Sequence, residues 1–280
     1  MRLLVTGAAG MLGRDVVAAV GDAGHEAVAL ARGDLDITYP NAVQAAVAAA
    51  RPDAIVNCAA WTDVDGAETA EAQATAVNGR GAGLLAHAAA DIGALLVHVS
   101  SDYVFDGTAT EAYAEDAPTG PQGAYGRSKL AGERAVAAAG GRSAIVRSAW
   151  VFGPHGKNFV DTMRRLGAER EEIAVVDDQV GCPTYTGHLA PALVEIAERG
   201  LTGVVHVAGG GHCTWFDLAK ATFEETGIDC HVKPQSTADI GRPAPRPAFS
   251  VLRSTRADAP VLPAWRDGLK AHLARVEVTA

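Results

Sequence analysis

The stretch Tyr125-Gly-Arg-Ser-Lys129 sets a phenol and an ammonium four residues apart. On a helix, side chains at that spacing lie about 5–6 Å apart on one face. Unperturbed, the phenol titrates near ~10 and the ammonium near ~10.4. A positive charge held close favours the phenolate and lowers the phenol's pKa. Such a pair suits proton transfer near neutral pH, with Tyr125 as donor or acceptor. The same spacing also describes a plain surface helix with one aromatic residue and one solvated lysine. The surrounding elements decide between the two.

Short β-rich runs alternate with alanine-rich helical stretches. The runs are RLLVT (2–6), EAVALA (26–31), AIVNCA (54–59), LLVHVS (95–100) and AIVRSA (144–149). They are nearly continuous in apolar residues, which suits strands buried on both faces of a parallel sheet. Helical candidates lie near 10–20, 40–50, 68–91 and 126–139. The repetition predicts an α/β fold with a doubly wound parallel sheet of Rossmann type. After about residue 150 the rhythm changes, with helical stretches near 158–168, 187–199, 214–226 and 265–275 and one short strand at 204–208. The proline-rich segment 234–247 predicts loop. These patterns divide the chain into a dinucleotide-binding domain over 1–150 and a smaller α/β substrate-binding cap over 151–280, interleaved with the first.

The first strand runs straight into TGAAGMLG (6–13), with glycines at Gly7, Gly10 and Gly13. Glycine permits the tight turn and lets the backbone approach a pyrophosphate. The helix that follows offers free N–H groups and partial positive charge. At the end of the second strand an acidic residue would hold the ribose 2′-hydroxyl of NAD, whereas a guanidinium accepts the 2′-phosphate of NADP. Here Arg32 stands at that end, with Asp34 and Asp36 just beyond. The reading favours NADPH, with NADH as the alternative.

The net charge of −9 carries no basic footprint for nucleic acid. An anionic substrate then needs a local cationic site. The four cysteines form no C-x-x-C and match no zinc spacing, which points to free thiols in a reducing compartment. The N-terminus lacks the apolar core of a signal peptide, and no run reaches the ~20 apolar residues of a membrane helix. A cytoplasmic protein without nucleic-acid or membrane partners is expected, and no metal site is assigned.

Taken in order, a longer set of segments resembles the extended short-chain dehydrogenase/reductases, and more narrowly the dTDP-4-dehydrorhamnose reductases. They are TGAAGMLG, IVNCAAWTDVDGAE (55–68), VN (77–78), VSSDYVFDG (99–107), YGRSKLAGE (125–133), VRSAWVFG (146–153), NF (158–159), DDQVGCPT (177–184) and RPAFSVL (246–252). The resemblance covers nearly the whole chain. It implies a catalytic set of Ser101, Tyr125 and Lys129. It also implies dinucleotide contacts at Gly7, Gly10, Met11, Leu12, Gly13, Arg32, Asp36, Ile37, Cys58, Ala59, Ala60, Asn78 and Val99, together with Tyr125 and Lys129. Substrate contacts would fall on Ser101, Asp102, Tyr125 and Trp150. Asn158 and Arg246, with Lys157 and His155, are candidates for the substrate's diphosphate. Ser101 stands where the family commonly has threonine, Cys58 where alanine is usual, and Trp61 replaces a smaller ring.

The implied reaction is reduction of a 4-keto deoxysugar carried on a nucleotide. Tyr125 would protonate the developing alkoxide, Ser101 would hydrogen-bond the same oxygen, and Lys129 would hold the nicotinamide ribose and acidify Tyr125. A 4,6-dehydratase of this class carries an Asp-Glu pair where this chain has Asp102-Tyr103. A 4-epimerase and a non-catalytic dinucleotide-binding subunit are the alternatives. Asp15 aligns with an acidic residue that binds Mg2+ between subunits in some relatives; a dipole partner in the first helical turn is the simpler expectation. A homodimer is the expected assembly, since the family includes dimers.

Overall fold

The computed structural model describes residues 1–278. Its centre is a wholly parallel six-stranded sheet. The strands are β1 (Arg2–Thr6), β2 (Glu26–Leu30), β3 (Ala54–Asn57), β4 (Leu95–Ser101), β5 (Ser143–Ser148) and a sixth, Gly203–His206. Their order is β2-β1-β3-β4-β5 and then Gly203–His206. The edge strand β2 is part-exposed, while β3 is buried throughout.

Successive side chains of a strand point to opposite faces, and both faces here are covered. Leu3 and Val5 of β1 join Val16 and Val20 of helix Met11–Asp22 and Leu189, Leu193 and Ile196 of helix Thr186–Arg199. Leu4 of the same strand joins Val43 and Val47 of helix Pro40–Ala50 and Leu85 of helix Ala82–Asp91 on the other face. Continuous apolar runs therefore become two cores rather than one. Among the described residues no helix is long and apolar enough to cross a membrane.

The chain beyond residue 150 serves two structures. Helix Thr186–Arg199 and strand Gly203–His206 complete the main sheet's layers. The rest builds a cap on helices Phe159–Glu169, Trp215–Thr226 and Trp265–Val278, beside a parallel pair of strands, Glu172–Val176 and His231–Gln235. That last strand and the short helix Thr237–Ile240 lie in or at the edge of the segment read as loop. Its sequence, HVKPQ, buries only Val232 and so shows no apolar run. The long helix expected over 68–91 runs continuously from Glu71 to Asp91, with a π-helical turn at Ala76–Gly81 inside it. Gly81 allows that turn to sit against Ile37, whose side chain a Cβ would meet at 2.7 Å.

Helix Ala124–Ala138 carries Tyr125 and Lys129 and is fixed to the sheet by a buried ion pair. Arg147 of β5 meets Glu133 through two hydrogen bonds of 2.9 and 2.8 Å, and Ser100 of β4 donates to Glu133 at 2.6 Å. Removing one partner leaves the other charge buried and unpaired. Glu133→Ala is expected to lower unfolding free energy by about 3–5 kcal/mol, measured by urea denaturation. A loss under about 1 kcal/mol would mean the helix is held by packing alone.

Candidate active site

The carboxyl ends of β1 and β3 meet where the strand order reverses, the position at which open α/β sheets take their ligands. Gly7 follows β1 in the left-handed region, with φ +67°. A Cβ there would lie 2.7 Å from the Ala59 nitrogen and 2.8 Å from the Cys58 carbonyl carbon. Only glycine fits between the two turns. Helix Met11–Asp22 then begins after Gly10 with no side-chain cap and no acidic residue in its first turn. Its first N–H groups are left for an anion.

These turns open on a cavity of about 680 Å³. Gly7, Gly10, Met11, Leu12 and Gly13 line it from the first turn, and Arg32, Asp36 and Ile37 from the loop after β2. Cys58, Ala59 and Ala60 follow β3, and Val99 and Ser101 come from β4 with Asp102 just beyond. Tyr125 and Lys129 enter from helix Ala124–Ala138, and Ser148 and Trp150 from the end of β5. The glycine cradle and the uncapped helix start fit the diphosphate of a nicotinamide dinucleotide. Ser148 adds a buried hydroxyl with no hydrogen-bond partner.

Helix Ala124–Ala138 approaches closely because Gly126 has no side chain: a Cβ would sit 2.3 Å from the Tyr103 carbonyl oxygen. Tyr125 packs edge-on against Tyr103, with ring centroids 5.4 Å apart. Ser101, the last residue of β4, donates to Asp102 at 2.9 Å and accepts from the Tyr103 N–H at 3.2 Å. Asp102 is 2% exposed. Burial pushes its carboxyl up to about 6, against the nearby Ser250 and Ser101 hydroxyls, which favour the charge.

The expected acidification of Tyr125 by Lys129 is corrected by these side chains. Burial pushes the phenol up to about 12, the Asp102 charge adds to that, and the Ser101 hydroxyl opposes it. The ammonium instead donates to the Val99 carbonyl at 2.7 Å. Burial brings Lys129 down to about 8, against the pull of Glu133 and Cys58. Without ligand, then, the phenol holds its proton across neutral pH. The Cys58 thiol, pushed up to about 12 by burial, is not a nucleophile.

Several other positions stand apart from the cavity lining. Asn78 lies in the π-helical turn and spends its amide on the Trp61 backbone, at 2.8 and 3.1 Å, and on Ser128, at 2.9 Å. It braces the wall rather than facing a ligand; Val77 lines the cavity beside it. Asn158 caps helix Phe159–Glu169 through the Asp161 N–H and donates to the Gly153 carbonyl, both at 2.9 Å. Arg246 pairs with Asp65 at 2.9 Å. Of the cationic candidates for a diphosphate, Lys157 lines the cavity. His155 stands beside Arg275 at 3.2 Å.

Asp15 lies beyond the first helical turn, 4% exposed, and is paired with Arg275 at 2.7 Å, so it is not a dipole partner there. Among the described residues no group of three or more His, Cys, Asp or Glu side chains is placed to hold a metal ion. Ser148 and Trp215 are among the lining residues that the sequence left unmarked. Ser148 is identified only by its register against Ser101. Trp215 reaches the cavity from the cap with no signal in its spacing.

A family model described as the RmlD substrate binding domain matches residues 1–278. The chain is 47% identical to a dTDP-4-dehydrorhamnose reductase of Mycobacterium tuberculosis over 98% of its own length and 92% of the relative's. It is 49% identical to a dTDP-4-keto-6-deoxy-D-glucose reductase of Streptomyces niveus, covering 90% and 88%. A crystal structure of dTDP-4-dehydrorhamnose reductase from Bacillus anthracis in complex with NADP superposes with a TM-score of 0.95 at 38% identity, covering 98% of this chain and 99% of that one.

Proposed function

Since the chain belongs to the RmlD family of dTDP-4-dehydrorhamnose reductases, we propose that it is an NADPH-dependent oxidoreductase that reduces the C4 keto group of dTDP-4-dehydro-L-rhamnose to give dTDP-L-rhamnose. One observation carries the reading beyond family membership. Ser101, Tyr125 and Lys129 line the same cavity as the glycine cradle.

A bound reduced nicotinamide supplies the hydride. Tyr125, still carrying its proton, donates it to the carbonyl oxygen as negative charge develops there. Ser101 turns its hydroxyl from Asp102 to the same oxygen and stabilises that charge. Lys129, held on the Val99 carbonyl, brings its ammonium to the same cavity wall. In the reducing direction Tyr125 needs no lowered pKa to begin as an acid; a nearby positive charge is needed to stabilise the phenolate it becomes.

The decisive assay follows nicotinamide absorbance when the purified protein is given the 4-keto sugar nucleotide and NADPH. Stoichiometric oxidation with dTDP-L-rhamnose as product supports the reductase. Sugar turnover without net cofactor oxidation would establish an epimerase instead. The Streptomyces niveus relative makes dTDP-4-keto-6-deoxyglucose the second substrate to try.

We assign the preference for NADPH to Arg32, which is exposed at the cavity's β2 side. Asp36 beside it is occupied by the Thr38 N–H at 3.0 Å and the Thr38 hydroxyl at 2.8 Å. Arg32→Asp is expected to cut kcat/KM for NADPH by roughly 10–100-fold while sparing NADH, the loss of a charge-assisted contact. Initial rates with both cofactors check this, and equal losses for the two would remove Arg32 from the selection.

A further inference from the structure

Among the described residues, Trp150 is one of two non-glycine residues with positive φ, at +46°. Bulky side chains rarely adopt that region, and such strain persists where the surroundings fix it. Here they do. The Trp150 indole stacks on Trp215, with ring centroids 3.5 Å apart and planes within 4°. Gly181 lies against the same indole, where a Cβ would be 2.4 Å from Cε2. Trp215 is itself held. Its Nε1–H donates to Gln179 at 3.0 Å, Phe159 leans on it at 4.6 Å, and the Thr214–Asp217 capping box fixes the helix start from which it projects. The Trp150 indole N–H, by contrast, has no such protein partner among the described residues.

Both indoles line the cavity. Their place along it follows from the sheet. Ser148 is the register partner of Ser101, and Trp150 lies two residues beyond it. The pair therefore stands beside the reacting carbonyl rather than at the far end of a nucleotide.

We propose that Trp215 is a specificity-determining residue for the sugar: by stacking on Trp150 it forms a rigid aromatic wall that receives the deoxyhexose ring and offers it the Trp150 indole N–H. This rests on the substrate class proposed above and deepens it. The wall pairs apolar ring edges with the C–H groups and methyl of a 6-deoxysugar, and the free N–H with a hydroxyl. Trp215 acts mainly through Trp150, so its loss weakens recognition of the sugar and not of the nucleotide.

Calorimetry on the NADP-loaded enzyme tests this with two ligands, dTDP and dTDP-L-rhamnose. Trp215→Ala is expected to weaken dTDP-L-rhamnose about tenfold and dTDP by less than about twofold, the scale of one lost aromatic contact. Trp215→Phe, which keeps a ring, should fall between, and the near-UV circular dichroism of the coupled indoles should disappear in both. If Trp215→Ala does not fold, Trp215→Phe decides by the same ratio. Unchanged binding of dTDP-L-rhamnose overturns the proposal, as does equal weakening of dTDP, which would put the wall against the base. A wild-type enzyme that bound neither ligand would overturn the substrate reading beneath it.

Discussion

Tyr125→Phe is expected to lower kcat by about 10³-fold while leaving the dissociation constant for NADPH within about twofold. The substitution removes a hydroxyl from a half-buried ring and nothing else. Tyr125 reaches the cavity from the second position of helix Ala124–Ala138, where Tyr103 fixes the ring edge-on. Its phenol is pushed up to about 12 by burial and by Asp102, so the wild-type side chain holds its proton near neutral pH. The variant cannot deliver that proton, and Ser101 and water are left to meet the developing alkoxide. Single-turnover hydride transfer, followed beside a fluorescence titration with NADPH, separates the two quantities. Turnover within about tenfold of wild type would assign the proton to another donor.

The second large effect belongs to Lys129. Lys129→Met keeps the stem's volume and removes the ammonium from the Val99 carbonyl. Both kcat and NADPH affinity should fall, kcat by about 10²-fold and affinity by about tenfold, because one charge serves the phenolate and the cofactor. Lys129→Arg should not rescue, since a planar fork does not replace a compact point charge in a packed site.

The pH dependence has a definite sign. Burial lowers Lys129 in the folded protein from 10.5 to about 8. Between those values the unfolded chain binds the proton that the folded protein has released, so wild-type stability rises with pH. Below about 8 the cost of the buried charge is fully present. Urea denaturation should therefore show wild type gaining on Lys129→Met between about pH 8 and 10. A constant difference would mean the ammonium titrates as in water.

Much of the frame was legible because its causes are local. The β1 run, the glycines after it and the following helix occupy consecutive residues, and continuous apolar strands require cover on both faces. The Tyr125–Lys129 pair was visible as a spacing. Its electrostatics were not, because the dominant influences come from elsewhere: the apolar enclosure, the Asp102 carboxyl and the Val99 carbonyl. Asn78 shows the same limit. Its segment suggested a cofactor contact, yet its amide is spent on Trp61 and Ser128, partners 17 and 50 residues away.

The amino-acid sequence by itself determined the doubly wound sheet, the glycine cradle at its first turn and a helix able to carry a phenol and an ammonium on one face. Each depends on periodicity or on conformational freedom within a few residues. Only the tertiary structure decided that the phenol keeps its proton, that Lys129 rests on Val99, that Ser148 stands beside Ser101 and that Trp215 braces Trp150. Those outcomes depend on burial and on strand register across the whole chain. Solvent exclusion and long-range pairing set them, and neither is written in any short stretch.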